Sequence, residues 1–343
     1  MNDSRQVGAV PEIAQKSAAP ASISVIITNY NYAQFLGKAI ESVLAQTYPH
    51  VQCIVVDDGS SDGSLAVARS YPGIEIIAKP NGGQVSAAKR AMEAVTGIIT
   101  IFLDSDDMLY PDACAVVAAH FREGATLYQF GLDVIDSDGR VIGAYPLEPL
   151  IASGQSEAAL RHGFFPSSPT SGNAFLTAHV RRMLAEAGPV ERYFVDGYLI
   201  YSAPFFGETV TSTARIGSYL VHGANVSLSA GVNARSAEKS TRNALWQRTG
   251  IVNALRMTGN AGGDPADFLT AYHLRYVLIL RICYGIEDIL PDWSNWRIAK
   301  AMVRKFIIYP RISLVQRLKN IALAAALLVG FSAIGRRIVP PAF

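Results

Sequence analysis

Ile98-Ile99-Thr100-Ile101-Phe102-Leu103-Asp104-Ser105-Asp106-Asp107 is the stretch on which the fold of this chain turns. Residues 98 to 103 are nearly all β-branched or large and apolar, so they read as a strand buried on both faces. Side chains alternate along an extended segment, which puts Asp104 and Asp106 on the same side. Two convergent carboxylates at the carboxyl end of a buried strand suit a hard divalent cation that also holds a phosphate. The same four residues would also serve as an acidic turn whose Asp side chains cap backbone N–H groups. The choice rests on the rest of the chain.

Upstream, the pattern of a buried strand ending in polar residues recurs. Ile23-Ser24-Val25-Ile26-Ile27-Thr28 is a first strand, and Phe35, Leu36, Ala39, Ile40, Val43 and Leu44 then recur at helical spacing in a helix ending before Pro49. Val51 to Val56 is a second strand, ending in Asp57-Asp58-Gly59-Ser60-Ser61-Asp62-Gly63 and followed by a helix around Leu65 to Ala68. Ile74 to Ala78 is a third, and Asn81-Gly82-Gly83 opens a helix packed through Ala87, Ala88, Ala91 and Val95. Strands alternating with helices in this way predict an α/β fold with a mainly parallel sheet flanked by helices. Ligands of such sheets bind beyond the carboxyl ends of the strands. Thr28, Asp58, Asp104 and Asp106 all sit there, and their convergence from distant positions is the argument for a site. A dinucleotide is the obvious rival ligand, but Asn29-Tyr30-Asn31-Tyr32, not GxGxxG, follows the first strand. Tyr30 offers a ring on which a base can stack, and Asp58 an acceptor for a base N–H.

Composition sets the outer bounds. The 343 residues, 50% of them apolar, suffice for one large or two ordinary packed domains. A net charge of +2 gives no global signal for a nucleic-acid partner, and none is expected. Cys53, Cys114 and Cys283 are scattered without metal-ligand spacing, which fits a reducing cytoplasm. Residues 1–21 carry no apolar signal segment and read as a flexible lead-in. Charge is uneven at the other end. From Trp293 to Phe343 there is no Asp or Glu, against Arg297, Lys300, Arg304, Lys305, Arg311, Arg317, Lys319, Arg336 and Arg337. Within this stretch Ile321 to Ile334 is an uncharged run of fourteen residues, short of the roughly 20 that span a bilayer. A basic segment with such a run suits an anionic membrane surface, or else a helix packed on the domain with a solvated basic face.

At this point the chain resembles the family 2 inverting glycosyltransferases of GT-A fold. The matching pieces are residues 25–31 (VIITNYN), 42–48 (SVLAQTY), 55–62 (VVDDGSSD), 81–83 (NGG) and 102–107 (FLDSDD), in order over residues 22–112. The resemblance implies that Thr28 and Tyr30 begin the nucleotide pocket and that Asp58 reads a uracil or thymine N3–H. It implies that Asp104-Ser105-Asp106 is the DxD motif. There Asp104 and Ser105 face the nucleotide sugar, and Asp104 and Asp106 hold Mn²⁺ or Mg²⁺ against the diphosphate. Asp107 could instead cap the helix near Pro111-Asp112.

The second half implies the acceptor side more thinly. Pro169 to Phe175 looks like the family's acceptor-lining segment, with Ser171, Gly172 and Asn173 at its centre, and Asp196 sits where the family keeps its catalytic base. Here the preceding residue is Val195 rather than an acid, and Asp196 could instead cap the helix from Tyr198 to Ala203. Tyr219-Leu220-Val221-His222 resembles a later element in which His222 would be a further metal ligand or a diphosphate contact, although Leu220 replaces the usual Arg. His162, His179 and His273 read as ordinary structural residues. The Gln-x-x-Arg-Trp motif of the polymer-making members is absent, since Trp246-Gln247-Arg248 has the wrong order.

The expected organisation is a lead-in over 1–21, a glycosyltransferase domain over 22–235 and a helical C-terminal region over 236–343. The domain divides into a nucleotide-sugar half, 22–112, and an acceptor half, 113–235. The expected activity is metal-dependent, inverting transfer of one sugar from a nucleoside diphosphate, UDP- or dTDP-linked rather than GDP-linked, to a hydroxyl of a glycan or lipid-linked acceptor. The expected location is cytoplasmic, peripheral at the inner face of the membrane. Two alternatives stand beside it: a sugar nucleotidyltransferase, which would need a Gly-rich basic loop where residues 29–34 supply none, and an inactive nucleotide-sugar-binding protein at the membrane.

Overall fold

Four parallel strands carry the first half of the molecule. The computed structural model describes residues 21–188, 194–222, 233–308 and 312–339. In chain order the first elements are β1 (Ile23–Asn29), α1 (Ala33–Leu44), β2 (Val51–Asp57), α2 (Ser64–Arg69), β3 (Glu75–Ala78), α3 (Gln84–Ala91) and β4 (Ile99–Asp104). Each strand is a run of apolar, mostly β-branched residues, and each helix presents one apolar stripe, Leu36, Ala39, Ile40 and Val43 in α1. Next come β5 (Met108–Leu109), α4 (Ala113–Ala119), β6 (Ala125–Ile135), β7 (Val141–Tyr145), α5 (Gln155–His162), β8 (Asn173–Leu176), α6 (Thr177–Glu186), α7 (Asp196–Ser202) and β9 (Glu208–Leu220).

The nine strands among the described residues form one sheet in the order β3-β2-β1-β4-β8-β6-β9-β5, with β7 off this path, paired with residues 132–135 of β6 beyond the stretch that pairs with β8. The expected parallel pairing holds from β3 to β4. Beyond β4 the sheet is mixed, because β8 runs antiparallel to both β4 and β6 while β6 and β9 are parallel. The sheet is buried on both faces, and β1 shows how. Ile26 joins the layer of α3, α6 and α7, and Val25 and Ile27 join that of α1 and α4.

The remaining helices are α8 (Ala234–Met257), α9 (Ala271–Tyr284), α10 (Asn295–Ile308), α11 (Leu314–Leu328) and α12 (Ser332–Ile338). The amino-terminal half of α8 belongs to a separate apolar core with α9 to α12, whereas Ile251, Val252 and Leu255 pack toward the sheet. The uncharged run near the C-terminus is not one helix: it spans the end of α11, a turn at Gly330 and the start of α12. One face of α11, through Leu323, Ala324 and Leu327, is buried in that helical core. The other exposes Leu314, Val315 and Leu318, with Leu314 at 71% exposure. The helix is therefore packed on its neighbours through one face and carries exposed apolar side chains on the other. Among the described residues no helix is long and apolar enough to cross a membrane. The three cysteines are buried free thiols. The lead-in falls outside the described residues, except Ala21.

Candidate active site

The registers of β1, β2 and β4 bring their carboxyl ends level. Thr28 pairs with Val56 on one side and Asp104 on the other, and Asn29 pairs with Asp57. The loops after β1 and β2 then lock together. The Asn29 amide donates to Asp57 at 3.1 Å, the Asn31 backbone N–H to Ser60 Oγ at 2.9 Å, and the Ser61 N–H to Asn31 Oδ1 at 2.7 Å. Tyr30, at 49% exposure, stands at the open mouth of this end. Asp58 is buried, and its carboxylate is already engaged by Lys79 Nζ at 2.5 Å and by the Gly82 and Gly83 N–H groups at 3.0 and 2.6 Å. A carboxylate offers about four lone-pair sites, so one direction remains for an incoming N–H. Gly59 makes this corner possible: its φ is +79°, and a Cβ there would lie 2.6 Å from the Asn81 nitrogen.

The Asp104–Asp107 segment supplies the carboxylates, but not by strand alternation alone. β4 ends at Asp104, and a turn closed by the Asp107 N–H on the Asp104 carbonyl, at 3.0 Å, brings the following acids round. Asp104 is pushed up to about 7, first by burial and then by the charges of Asp106 and Asp196, against hydrogen bonds from Thr170 and Gln84. Asp106 Oδ2 lies 3.0 Å from His222 Nε2. That imidazole packs on Phe35, ring centres 4.4 Å apart, and meets the edge of Tyr32. The Tyr32 phenol is raised by burial and then by Asp106 and Asp104. Ser105 is buried within the turn.

Asp107 does not cap the helix beyond Pro111. Its buried carboxyl accepts from Ser171 Oγ at 2.6 Å and from the Leu220 N–H at 3.1 Å, which ties β9 and the 170–172 turn to the acidic segment. Burial, then Asp104 and Asp106, holds it well above the usual carboxylate range.

Ser171, Gly172 and Asn173 are buried with their polar atoms employed. Ser171 Oγ accepts from the Asp104 N–H at 3.2 Å while donating to Asp107. The Asn173 amide donates to the carbonyls of Ser168 and Pro169 at 3.0 and 2.8 Å. The segment thereby holds Thr170, whose hydroxyl lies 3.5 Å from Asp196 Oδ2 and also hydrogen-bonds Asp104. Two acids from opposite halves of the chain thus meet across one hydroxyl.

Asp196 is the first residue of α7, and its Oδ1 accepts from the Gly197 N–H at 2.7 Å. Burial raises its pKa, and hydrogen bonds from Gly197, Thr170 and Gln247 oppose the rise. The residue at the helix N-cap is Val195, with no side-chain capping bond, so the capping role weighed for Asp196 is not the one it fills. Val195 is fully buried in apolar core. An acid at that position would bury a second charge beside Asp196. Gln84 fixes this segment from the donor side: its Oε1 accepts from the Val195 N–H at 3.1 Å while its Nε2 donates to Asp104 Oδ1 at 3.2 Å. From behind, Trp246 stacks on Tyr198 with centres 4.4 Å apart and donates to the Phe194 carbonyl at 3.0 Å. A Cβ on Gly197 would fall 2.3 Å from Gln247, so α7 and α8 approach as closely as glycine allows. Arg248 is buried over the Tyr201 ring at 4.7 Å; burial lowers its pKa, and Tyr201 and then Asp196 oppose the fall.

The sequence reading missed Gln84, Tyr32, Thr170 and the α8 wall. Trp246-Gln247-Arg248 was weighed only as a failed polymer motif. Of the histidines read as structural, His179 lies buried between Phe175 and Phe206, and His273 bonds the Thr270 cap of α9 at 2.8 Å. Of the other acids near Asp196 in the sequence, Glu191 lies outside the described residues and Glu208 is exposed at the start of β9.

Among the described residues no three His, Cys, Asp or Glu side chains are grouped as a complete metal cage. What is present is the Asp106–His222 pair beside Asp104, two acids whose mutual repulsion a cation would relieve. That donor set fits a hard cation that takes one or two carboxylates and completes its shell with phosphate oxygens and water.

Comparison with known proteins points to the same region. The model of "Glycosyl transferase family 2" matches residues 24–172. An uncharacterized glycosyltransferase of Nostoc sp. is 31% identical over 291 residues, 79% of this chain and 88% of that protein. A putative teichuronic acid biosynthesis glycosyltransferase of Bacillus subtilis is 30% identical over 140 residues, 39% of this chain and 54% of that protein. Among solved structures, S. aureus TarS 1–349 in complex with UDP-GlcNAc superposes with a TM-score of 0.61 at 16% identity, covering 92% of this chain and 90% of that one.

Proposed function

The chain belongs to glycosyltransferase family 2, and on that footing we propose that it transfers a single sugar, with inversion, from a nucleoside diphosphate to an acceptor hydroxyl. That it is a glycosyltransferase follows from the family; the residue roles are our reading. The observation that carries it is the meeting of Asp104 and Asp196 at Thr170, with Gln84 bridging Asp104 to the backbone before Asp196. One acid stands where a donor diphosphate ends and the other where an acceptor hydroxyl must approach.

In this reading Tyr30 stacks on the base and Asp58 accepts its N3–H in the one direction left open by Lys79, Gly82 and Gly83, while Thr28 lines the pocket floor. A uracil or thymine nucleotide suits that single acceptor, and the TarS neighbour binding UDP-GlcNAc is consistent with it. Mn²⁺ or Mg²⁺, held by Asp104, Asp106 and His222, would supply positive charge for the leaving diphosphate. Asp196 takes the proton as the acceptor oxygen bonds to the anomeric carbon and the bond to phosphate breaks on the opposite face. Burial makes Asp196 a stronger base than an exposed carboxylate, and Thr170 and the Gly197 N–H fix its direction. Ser171, Gly172 and Asn173 serve the acceptor side by holding Thr170 in place.

The division into a nucleotide-sugar half over 22–112, an acceptor half over 113–235 and a helical region over 236–343 belongs to the same reading. The acceptor class is a lipid-linked or growing cell-surface glycan; the B. subtilis relative, named for teichuronic acid biosynthesis, supports that class. The exposed Leu314, Val315 and Leu318 beside an acid-free basic stretch support a location peripheral to the anionic inner face of the membrane.

The test is a panel of UDP-, dTDP- and GDP-sugars assayed with and without Mn²⁺ for binding and nucleoside diphosphate release. Metal-dependent binding and release with one uridine or thymidine donor is expected. Metal-independent release, or a guanosine donor preferred, would overturn the assignment.

A further inference from the structure

Trp246, Gln247 and Arg248 take no part in the transfer chemistry proposed above, yet they stand where α8 meets α7. A glycine on each helix lets the two backbones approach. A Cβ on Gly197 would fall 2.3 Å from the amide carbon of Gln247, and one on Gly250 would fall 2.4 Å from the Tyr198 carbonyl oxygen. Trp246 stacks on Tyr198, and the Asn253 amide donates to the Tyr198 hydroxyl at 3.0 Å. Residues 246, 250 and 253 are four and three apart, so they share one face of α8. That face clamps the first turn of α7, and Gln247, beside it, reaches the residue with which α7 begins.

The polarity of the Gln247 amide is fixed from behind. Its Oε1 accepts from a terminal nitrogen of Arg248 at 2.9 Å. Nε2 is therefore the end turned to Asp196, to which it donates, and a Cβ on Gly197 would lie 2.6 Å from that nitrogen. An unheld amide could turn its oxygen to the carboxylate, which accepts only. Arg248 removes that choice, because a guanidinium only donates. Arg248 itself is 3% exposed, lies over the Tyr201 ring at 4.7 Å and leaves its Nε without a hydrogen-bond partner among the described residues. A buried charge with an unmet donor adds little to stability, since an apolar side chain of similar volume would fill the core as well. Its use lies in the bond that it makes to Gln247.

We propose that Arg248 and Gln247 form a relay that aims the base: Arg248 fixes the Gln247 amide, and the amide holds the Asp196 carboxylate in place for the acceptor hydroxyl. Both are positioning residues, since neither meets the reacting atoms. The proposal rests on the reading of Asp196 as the base. It adds a hold from α8 to those that Thr170 and the Gly197 N–H supply.

The experiment is a double-mutant cycle on the full chain with Mn²⁺, using from the panel of UDP-, dTDP- and GDP-sugars the donor from which the wild type releases nucleoside diphosphate fastest. Gln247→Met should slow single-turnover release roughly ten- to a hundredfold, the loss of one hydrogen bond to a charged group, with donor Kd changed less than about twofold. Arg248→Met should slow it less, roughly two- to tenfold, because the amide loses its direction and not its reach. On an Asp196→Asn background neither substitution should add a further loss. If Arg248→Met misfolds, the near-isosteric Gln247→Met decides. Losses that persist on the Asp196→Asn background, or that appear in donor Kd, would overturn the relay and leave the base reading intact. Asp196→Asn at full rate would overturn the base reading, and the relay with it. A readout that needs no donor is the ¹⁵N side-chain amide resonance of Gln247, identified by its loss in Gln247→Met. It should shift in both Arg248→Met and Asp196→Asn, and a resonance unmoved by either would overturn the relay.

Discussion

Gln84→Met is the substitution that most sharply probes how the two halves of the site are joined. Methionine keeps the length and apolar bulk of the side chain and removes both ends of the bridge. The lost bond to Asp104 is charge-assisted, worth about 1.5–3 kcal/mol. The lost acceptor leaves the Val195 N–H without its partner at the start of α7. A stranded buried donor costs about 1–3 kcal/mol, part of which a water entering beside the half-buried side chain would restore. The first loss acts on Asp104 and so on donor placement; the second acts on the direction of Asp196. A drop of about 2 kcal/mol in transition-state stabilisation is a fall of roughly thirtyfold in kcat/KM. Because Gln84 positions and does not touch the reacting atoms in this account, kcat should fall while the donor Kd changes less than threefold. The assay is steady-state nucleoside diphosphate release beside donor calorimetry and a thermal melt. Gln84→Glu is the companion: it restores the acceptor for Val195 but sets a second carboxylate against Asp104, and it should be worse than Met. Unchanged kcat/KM in Gln84→Met would refute the bridge, as would a loss confined to donor Kd.

Other consequences are as direct. Asp106→Ala should remove metal-dependent donor binding and abolish transfer without altering the fold; unchanged nucleotide calorimetry with Mn²⁺ would exclude Asp106 as a ligand. Leu314→Ser with Leu318→Ser should lower binding to anionic liposomes in flotation, and raised salt should weaken what remains, whereas full deletion from Ile312 should destabilise the helical core that Leu323 and Leu327 fill. His179 and His273 are held neutral by burial at about 4 and about 3, below the ordinary imidazole value. Their folded pKa values are depressed, so their contribution is complete above about pH 6.5 and is lost as pH falls toward 4. For His179 the loss is about 3 kcal/mol by pH 4. Urea midpoints measured from pH 7 to 4 should drop steeply in the wild type and less in His179→Gln; parallel curves would show that other groups dominate acid unfolding.

How much of this was legible in the sequence depended on range. Strand ends announce themselves locally, so Thr28, Asp58 and Asp104 could be grouped from apolar runs that stop at polar residues. Asp106 joined them for a partly different reason, a turn closed by Asp107 rather than alternation. The bridge could not be read. Gln84 lies 20 residues from Asp104 and 111 from Val195, and nothing in a helix-opening Gln marks which carboxylate it will meet. Val195 looked like a departure from the family pattern until its burial was seen. Ser171 and Asn173 were expected on the acceptor side from the family resemblance of residues 169–175 alone. Their burial shows that the turn spends them on Asp107, Asp104 and its own backbone. The expectation of a mainly parallel sheet did not say where antiparallel strands would enter, since β8 is short and its antiparallel placement depends on partners that lie far along the chain.

The central claim is that Asp196 is the base of a transfer whose donor is held by the β4 end. Asp196→Asn separates the two roles in one protein. Single-turnover release of the nucleoside diphosphate should fall by roughly 10²–10⁴, the usual effect of removing a general base, with donor Kd and metal dependence unchanged. A mutant that turns over at a near-normal rate, or one that loses donor binding along with activity, would contradict the account.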